Sequence, residues 1–503
     1  MSVNRNTAAN LAGRLWAVAL SVVLIPIYLN VLGMESYALV GISGILLTVF
    51  GLLEFGFSLA FTRELARLSA LEGSEQDQRD LVATFSVFYW SAAVVVALSI
   101  SLLAPLIATR WIRAETLSVA TLVTSIRLIG VAVALQFPIM VYQGALLGLQ
   151  RHVEYNAVLV SSTTVRGMGA LVVLWFVSPT VQAFFIWQAL LTLLTAGAHR
   201  IVLYRLLPRA PRPAAFRFAL VAGVSTYAAG SMANSVGIAV AQQSDKIILS
   251  KTLSLEQLGY YTLAGTIASL LWTLILSVTS AVFPRFNQCA ALNDEAGLAA
   301  EYDRATQLMA TIVLPTSMVL IFFAREVMTL WTRNPAIAAA TRDMVVLFAV
   351  GMTLAGFVNL ALHVALSYSW FRLTIGFIWG VAVVSLPLFW FASRFWGSRG
   401  AAAVWMLQHA ATLLLVLLVH RRYLRGHAAT WVKHAVVFPV AVSGAICVVA
   451  RLAVPTVESA AAIVALLGVT WTLATIAVVL VESTVRAHVT TVWTRMTDRP
   501  PGV

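Results

Sequence analysis

Long apolar runs, cut by short clusters of charge, Gly and Pro, recur along the whole chain. A window of about 19 residues, suited to finding membrane spans, separates fourteen of them. They lie near residues 8 to 32, 37 to 61, 81 to 104, 122 to 149, 155 to 177, 180 to 204, 217 to 244, 258 to 283, 303 to 324, 344 to 366, 371 to 392, 400 to 420, 434 to 453 and 459 to 481. Each is long enough to cross about 30 Å of hydrocarbon as a helix. The pattern predicts an all-α, polytopic membrane protein with 14 transmembrane helices. The first run exceeds a signal-peptide core and thirteen more follow it, so it is expected to be a mature helix. No segment between runs is much longer than about 20 residues, a length at which connections carry no domain of their own.

Composition agrees with the pattern. Of 503 residues, 60% are hydrophobic and 11% charged, whereas soluble domains average roughly half apolar and about a quarter charged. A soluble catalytic domain is disfavoured. The excess of 33 Lys+Arg over 20 Asp+Glu would suggest nucleic acid in a soluble chain. Here it is what positive-inside loops produce, so no nucleic-acid partner is expected. With the N-terminus inside, 20 basic residues fall on the cytoplasmic side and ten on the other, with Arg14, Arg127 and Arg166 within apolar runs. That bias and an even span count place both termini in the cytoplasm. Cys289 and Cys447 sit in no disulfide or metal-ligand spacing. There is no Walker loop, HExxH, zinc spacing or nucleophile elbow, so neither an ATP-driven pump nor a hydrolase is supported, and no cofactor or metal is called for.

An internal repeat refines the architecture. Residues 9 to 47 align without a gap on 233 to 271, with ten of 39 positions identical. Asn10, Gly13, Tyr37, Leu39, Gly41, Leu46 and Leu47 fall on Asn234, Gly237, Tyr261, Leu263, Gly265, Leu270 and Leu271. Spans 1 and 2 therefore correspond to spans 7 and 8. The expectation is two six-helix lobes in parallel orientation, as in transporters that rock two halves about a central site. The lobes would be residues 1–206 and 207–425, with spans 13 and 14 and a short cytoplasmic tail in 426–503.

Charged residues within spans cost about 2.5 to 3.5 kcal/mol each on insertion scales, so each asks for a partner, a cavity or an interface. Glu54 shares a helical face with Gly44, Thr48, Gly51, Ser58 and Thr62. That face suits a water-filled cavity; the alternatives are a structural Glu bonded between helices or a group at the interface. Span 1 has a matching stripe of Asn6, Asn10, Gly13, Arg14, Ala17 and Ser21, where Arg14 either lines a cavity or snorkels to the headgroups. Arg166 lies near the middle of span 5, beside Ser161, Ser162, Thr163 and Thr164, where snorkelling is hard. Arg127 is either an interior group or one near the start of its span. In span 7, Asn234 and Asp245 share a face, and Asp245 with Lys246 can also be read as an interfacial ion pair.

The run Pro26-x5-Leu32-Gly33-x3-Tyr37, then Glu54-Phe55-Gly56 and the closing Arg63, resembles the opening of polysaccharide-transporter proteins, which include the O-antigen flippases. Gly144-x3-Gly148-Leu149-Gln150-Arg151 is similar to that family too, as are Asp245-Lys246-x2-Leu249-Ser250 and Leu258-Gly259-x-Tyr261-x2-Ala264. The resemblance implies the multidrug/oligosaccharidyl-lipid/polysaccharide flippase superfamily, in which the second span usually carries Asp where this chain has Glu54. It implies a non-enzymatic flippase in a bacterial inner membrane, moving an oligosaccharide on a polyprenyl diphosphate from the cytoplasmic to the outer leaflet. Membrane lipids, a polysaccharide polymerase and a chain-length regulator are its expected partners. Arg14, Arg127, Arg166, Asn10 and Asn234 would then line the cavity, while Glu54 and Asp245 would serve in coupling or ion pairing. The competing readings are a cation-coupled exporter of small drugs or metabolites on the same scaffold, and a lipid II flippase.

Overall fold

The computed structural model describes residues 3–51, 57–221, 243–454, 457 and 459–481. Among these residues regular structure is helical, with a single parallel β-type contact between Arg113 and Ser254. Among the described residues, eleven helices are long and apolar enough to cross a membrane. The chain forms two compact units, Met1–Gly259 and Tyr260–Val503.

The first unit holds α1 (Val3–Leu32), α2 (Met34–Gly51), α3 (Phe57–Ser69), α4 (Glu75–Trp111), α5 (Val119–Ala134), α6 (Gln136–Gly148), α7 (His152–Phe176) and α8 (Val181–Leu206). Gly33 alone separates α1 from α2, and its φ of 78° lies in the left-handed region that glycine enters without a Cβ penalty. The expected fourth span is two helices broken at Leu135. Pro138 explains the break, because its ring excludes the carbonyl of residue 134 and it offers no N–H. Pro26 instead stays inside continuous α1. Polar N-caps start two helices: the Ser118 hydroxyl accepts from Thr121 N for α5, and Thr180 accepts from Ala183 N for α8. α1 packs on α7, α7 on α8, α8 on α5 and α5 on α4.

The second unit contains most of α9 (Leu255–Leu292), then α10 (Glu295–Phe322), α11 (Ala324–Thr332), α12 (Pro335–Ser367), α13 (Phe371–Arg422), α14 (Ala428–Ala453) and α15 (Ala460–Val481). α10 is its central helix, in contact with α12, α14 and α15. Three of its interior hydroxyls are satisfied within the protein: Thr306 and Thr311 donate to carbonyls one turn back, and Ser317 bonds Ala349 O and Thr353 on α12. α13 spans both the eleventh and twelfth expected runs, joined at Gly397 with φ 60° and ψ −146°. Those dihedrals are open almost only to glycine. The seventh expected run lies mostly within residues 222–242, outside the described residues.

Candidate functional site

Arg166 sits where three helices meet. The Tyr28 hydroxyl of α1 donates to Gly167 O at 2.7 Å, and the Trp187 indole N–H of α8 donates to Arg166 O at 3.0 Å. One turn away, Trp16 Nε1 donates to Thr164 Oγ1 at 2.8 Å. Glycines allow this approach. A Cβ on Gly167 would strike Leu24 of α1, and one on Gly169 would strike the Trp187 ring. On α7, the exposed positions Val165, Met168, Val172 and Trp175 mark one side, and the buried Ala170 and Leu174 the other. At 100° per residue Arg166 falls on the buried side, between the directions of α1 and α8.

Arg166 is half-buried, and its Nε is fully enclosed with no hydrogen-bond partner among the described residues. It lies about 21 Å along α7 from His152 and about 15 Å from Phe176, at 1.5 Å per residue. Neither end is in reach, so this cation is held within the span. A buried guanidinium presents donors in a planar fork that matches phosphate or carboxylate oxygens.

The other expected site residues are spread out. Arg127 is exposed on α5, with Nε 3.5 Å from Ser101 O, a long contact. Asp245 is buried within the helical stretch 243–252. Asn10 and Arg14 lie on helical α1, but their side chains are outside the described ones, and Glu54 and Asn234 lie outside the described residues. Among the described residues no three His, Cys, Asp or Glu side chains cluster as a metal site.

Sequence reasoning missed three features. The first is the pair Tyr28 and Trp187, which read as apolar lining in a span. The second is Glu35, buried at the start of α2. Its carboxylate accepts from the backbone N–H groups of Glu115 at 2.6 Å, Thr116 at 3.0 Å and Leu117 at 3.0 Å, and from the Thr116 hydroxyl. The loop it fixes continues a seam. Arg113 O accepts from Leu255 N, Trp111 Nε1 donates to Ser250 Oγ at 2.9 Å, and the Lys251 ammonium donates to Arg110 O while covering the Trp111 ring. The third is buried Asp80, which anchors the segment after α8 by accepting from Ala215 N at 2.9 Å and facing Arg217 at 3.5 Å. A Glu two residues past Gly33 is the only sequence hint of any of these.

Comparison with known proteins adds the family and the fold. The model of a family described as "Polysaccharide biosynthesis protein" matches residues 3–290. A comparison with curated proteins finds no match. Among solved structures, the chain is similar to a lipid II flippase MurJ in an inward closed conformation, with TM-score 0.69 and 13% identity, covering 94% of this chain and 98% of that one. It is also similar to an inward-facing multidrug resistance MATE family transporter of the MOP superfamily, with TM-score 0.65 and 14% identity over 82% and 94% of the two chains. A MOP superfamily transporter from Pyrococcus furiosus, described by the reverse polarity of its binding pocket, gives TM-score 0.52 and 15% identity over 83% and 93%. The fold is that of these membrane transporters.

Proposed function

We propose, since the chain belongs to the polysaccharide biosynthesis protein family, that it flips a polyprenyl-diphosphate-linked oligosaccharide, an O-antigen or exopolysaccharide repeat unit, from the cytoplasmic to the outer leaflet of a bacterial inner membrane. The observation that carries this reading is Arg166: a guanidinium midway along a span, with an enclosed Nε that has no partner among the described residues, at the junction of three helices. A diphosphate faces a large desolvation barrier in hydrocarbon. Charge-assisted hydrogen bonds from a fixed Arg replace part of the lost water. In this reading Asn10, Arg14, Arg127 and Asn234 help line the path, and Glu54 and Asp245 pair with these cations or carry the coupling ion. Residues 1–206 and 207–425 are the two moving lobes, 426–503 the appended spans, and both termini are cytoplasmic. A polymerase and a chain-length regulator act on the delivered unit.

Arg166 is tested in proteoliposomes by following exchange of a labelled polyprenyl-diphosphate oligosaccharide between leaflets. Arg166→Ala should lower the rate at least tenfold at unchanged protein level, and Arg166→Lys should restore part of it. Wild-type exchange by Arg166→Ala would remove the residue from the mechanism. The TM-score of 0.69 to a lipid II flippase supports a second reading, in which the diphosphate carries the cell-wall precursor. Competition between lipid II and an O-antigen-type lipid in the same vesicles separates the two. A cation-coupled drug exporter would be favoured instead if neither lipid exchanged and an organic cation did.

A further inference from the structure

A second group of polar atoms lies in the other unit, far along the sequence from Arg166. Where α10, the end of α13 and the start of α14 meet, Tyr302, His420 and Trp431 are all buried. Their rings form a continuous stack: Tyr302 to His420 at 5.3 Å and His420 to Trp431 at 5.3 Å between centroids. Apolar rings close the outside, with Phe286 of α9 against Tyr302 and Phe357 of α12 against Trp431. Aromatic packing alone would leave this unremarkable, but the polar atoms are not satisfied. Tyr302 OH, His420 Nε2, Trp431 Nε1 and Asp303 Oδ1 are each enclosed and without a hydrogen-bond partner among the described residues.

A single orphan of this kind is destabilising, and four in one neighbourhood are not a packing accident. Their chemistry is complementary. The Trp431 N–H only donates, Asp303 Oδ1 only accepts, and the Tyr302 hydroxyl does both. His420 is fixed by its other nitrogen: Nδ1 lies 2.9 Å from Val416 O, a pure acceptor, so Nδ1 carries the proton and Nε2 is left with its lone pair. The charged groups facing His420 are Asp303 and His427. His427 Nδ1 is 3.0 Å from Asp303 Oδ2, and its side chain is 40% exposed, so it connects the buried group to solvent. One carboxylate thus bonds the imidazole that is open to water and acts electrostatically on the buried one.

We propose that this cluster is a hydrated proton-binding site. A buried water accepts from Trp431 Nε1 and bridges the Tyr302 hydroxyl to His420 Nε2, where buried waters ordinarily make about three such bonds. A proton arriving from solvent adds to the lone pair of His420 Nε2. The resulting imidazolium is balanced by the Asp303 carboxylate, which no bond-breaking step alters. The site is independent of the cargo, and its test does not depend on which lipid is carried.

The full chain, labelled with 15N-histidine and held in nanodiscs, reports the protonation directly, with the His420 signal assigned by its loss in His420→Gln. The wild-type signal should pass from the Nδ1-protonated neutral form to imidazolium as the pH is lowered, and Asp303→Asn should move that change to lower pH. A His420 fixed in the neutral form throughout, or a midpoint indifferent to Asp303→Asn in a folded protein, overturns the proton site. Hydration is read by hydroxyl-radical footprinting of the unsubstituted chain. Tyr302 should be oxidised several-fold faster than Tyr142, which is equally buried but already bonded to Trp90 Nε1 at 3.1 Å. Equal protection of the two tyrosines rejects the bridging water.

Discussion

A cation in hydrocarbon is conspicuous in a sequence, while the groups that hold it in place are not. Arg166 could be picked out because it interrupts an apolar run far from either end, whereas Tyr28 and Trp187 look like ordinary span lining. Their role rests on one O–H and one N–H aimed at neighbouring carbonyls of α7. Trp187→Phe deletes the donor and also the outer ring of the indole that lies over Gly169, so about 1 kcal/mol for the bond and a cavity contribution beside it should be lost. If the bond also orients Arg166, lipid exchange should fall several-fold, beyond what the lowered melting temperature in detergent accounts for. Glu35 is the residue most thoroughly hidden from sequence, because its partners are main-chain N–H groups some eighty positions away. Glu35→Gln removes the charge and puts an amide NH2 where an acceptor is needed, leaving at least one enclosed N–H unpaired at about 1–3 kcal/mol. A lowered melting temperature with the same span topology is the expected result, checked by thermal unfolding of the purified variant.

At the scale of elements, apolar runs of span length and helices coincide because both follow from one constraint: backbone polar groups in lipid must be satisfied within the helix. What the pattern left open are the joints. Pro138 breaks its span into α5 and α6, while Pro26, Pro315 and Pro387 sit within continuous helices. Proline is thus compatible with either outcome, and packing decides. The joint at Gly397 is different, since its backbone conformation admits glycine and little else. Gly397→Ala should cost about 1–3 kcal/mol. That loss is measurable as lower yield and a lower melting temperature, whereas Gly380→Ala, with open space at its Cβ and helical backbone, should be neutral or slightly stabilising.

Within the second unit, the two appended helices are bound to the rest by more than lipid-like packing. Arg451 near the end of α14 pairs with Glu326 of α11, whose side chain is 11% exposed, and lies over the Phe323 ring. Arg451→Ala strands that carboxylate. Breaking a fully buried pair costs about 3–5 kcal/mol, and the 37% exposure of Arg451 scales the expected loss below that range. Adding Glu326→Gln should recover part of it, as a double-mutant cycle in thermal melting would show. The first unit has a bearing on how the chain is made. The partners of Trp111 and Arg113 at the rim of α4 are Ser250, Lys251 and Leu255, all of which follow the sixth expected span by some fifty residues. During synthesis, therefore, the amino-terminal helices can insert one after another as they leave the ribosome, yet their rim stays open until the beginning of the second half has also emerged. A nascent chain arrested near residue 206 would expose Trp111 and the loop after it to protease, and one extended well beyond residue 259 would protect them.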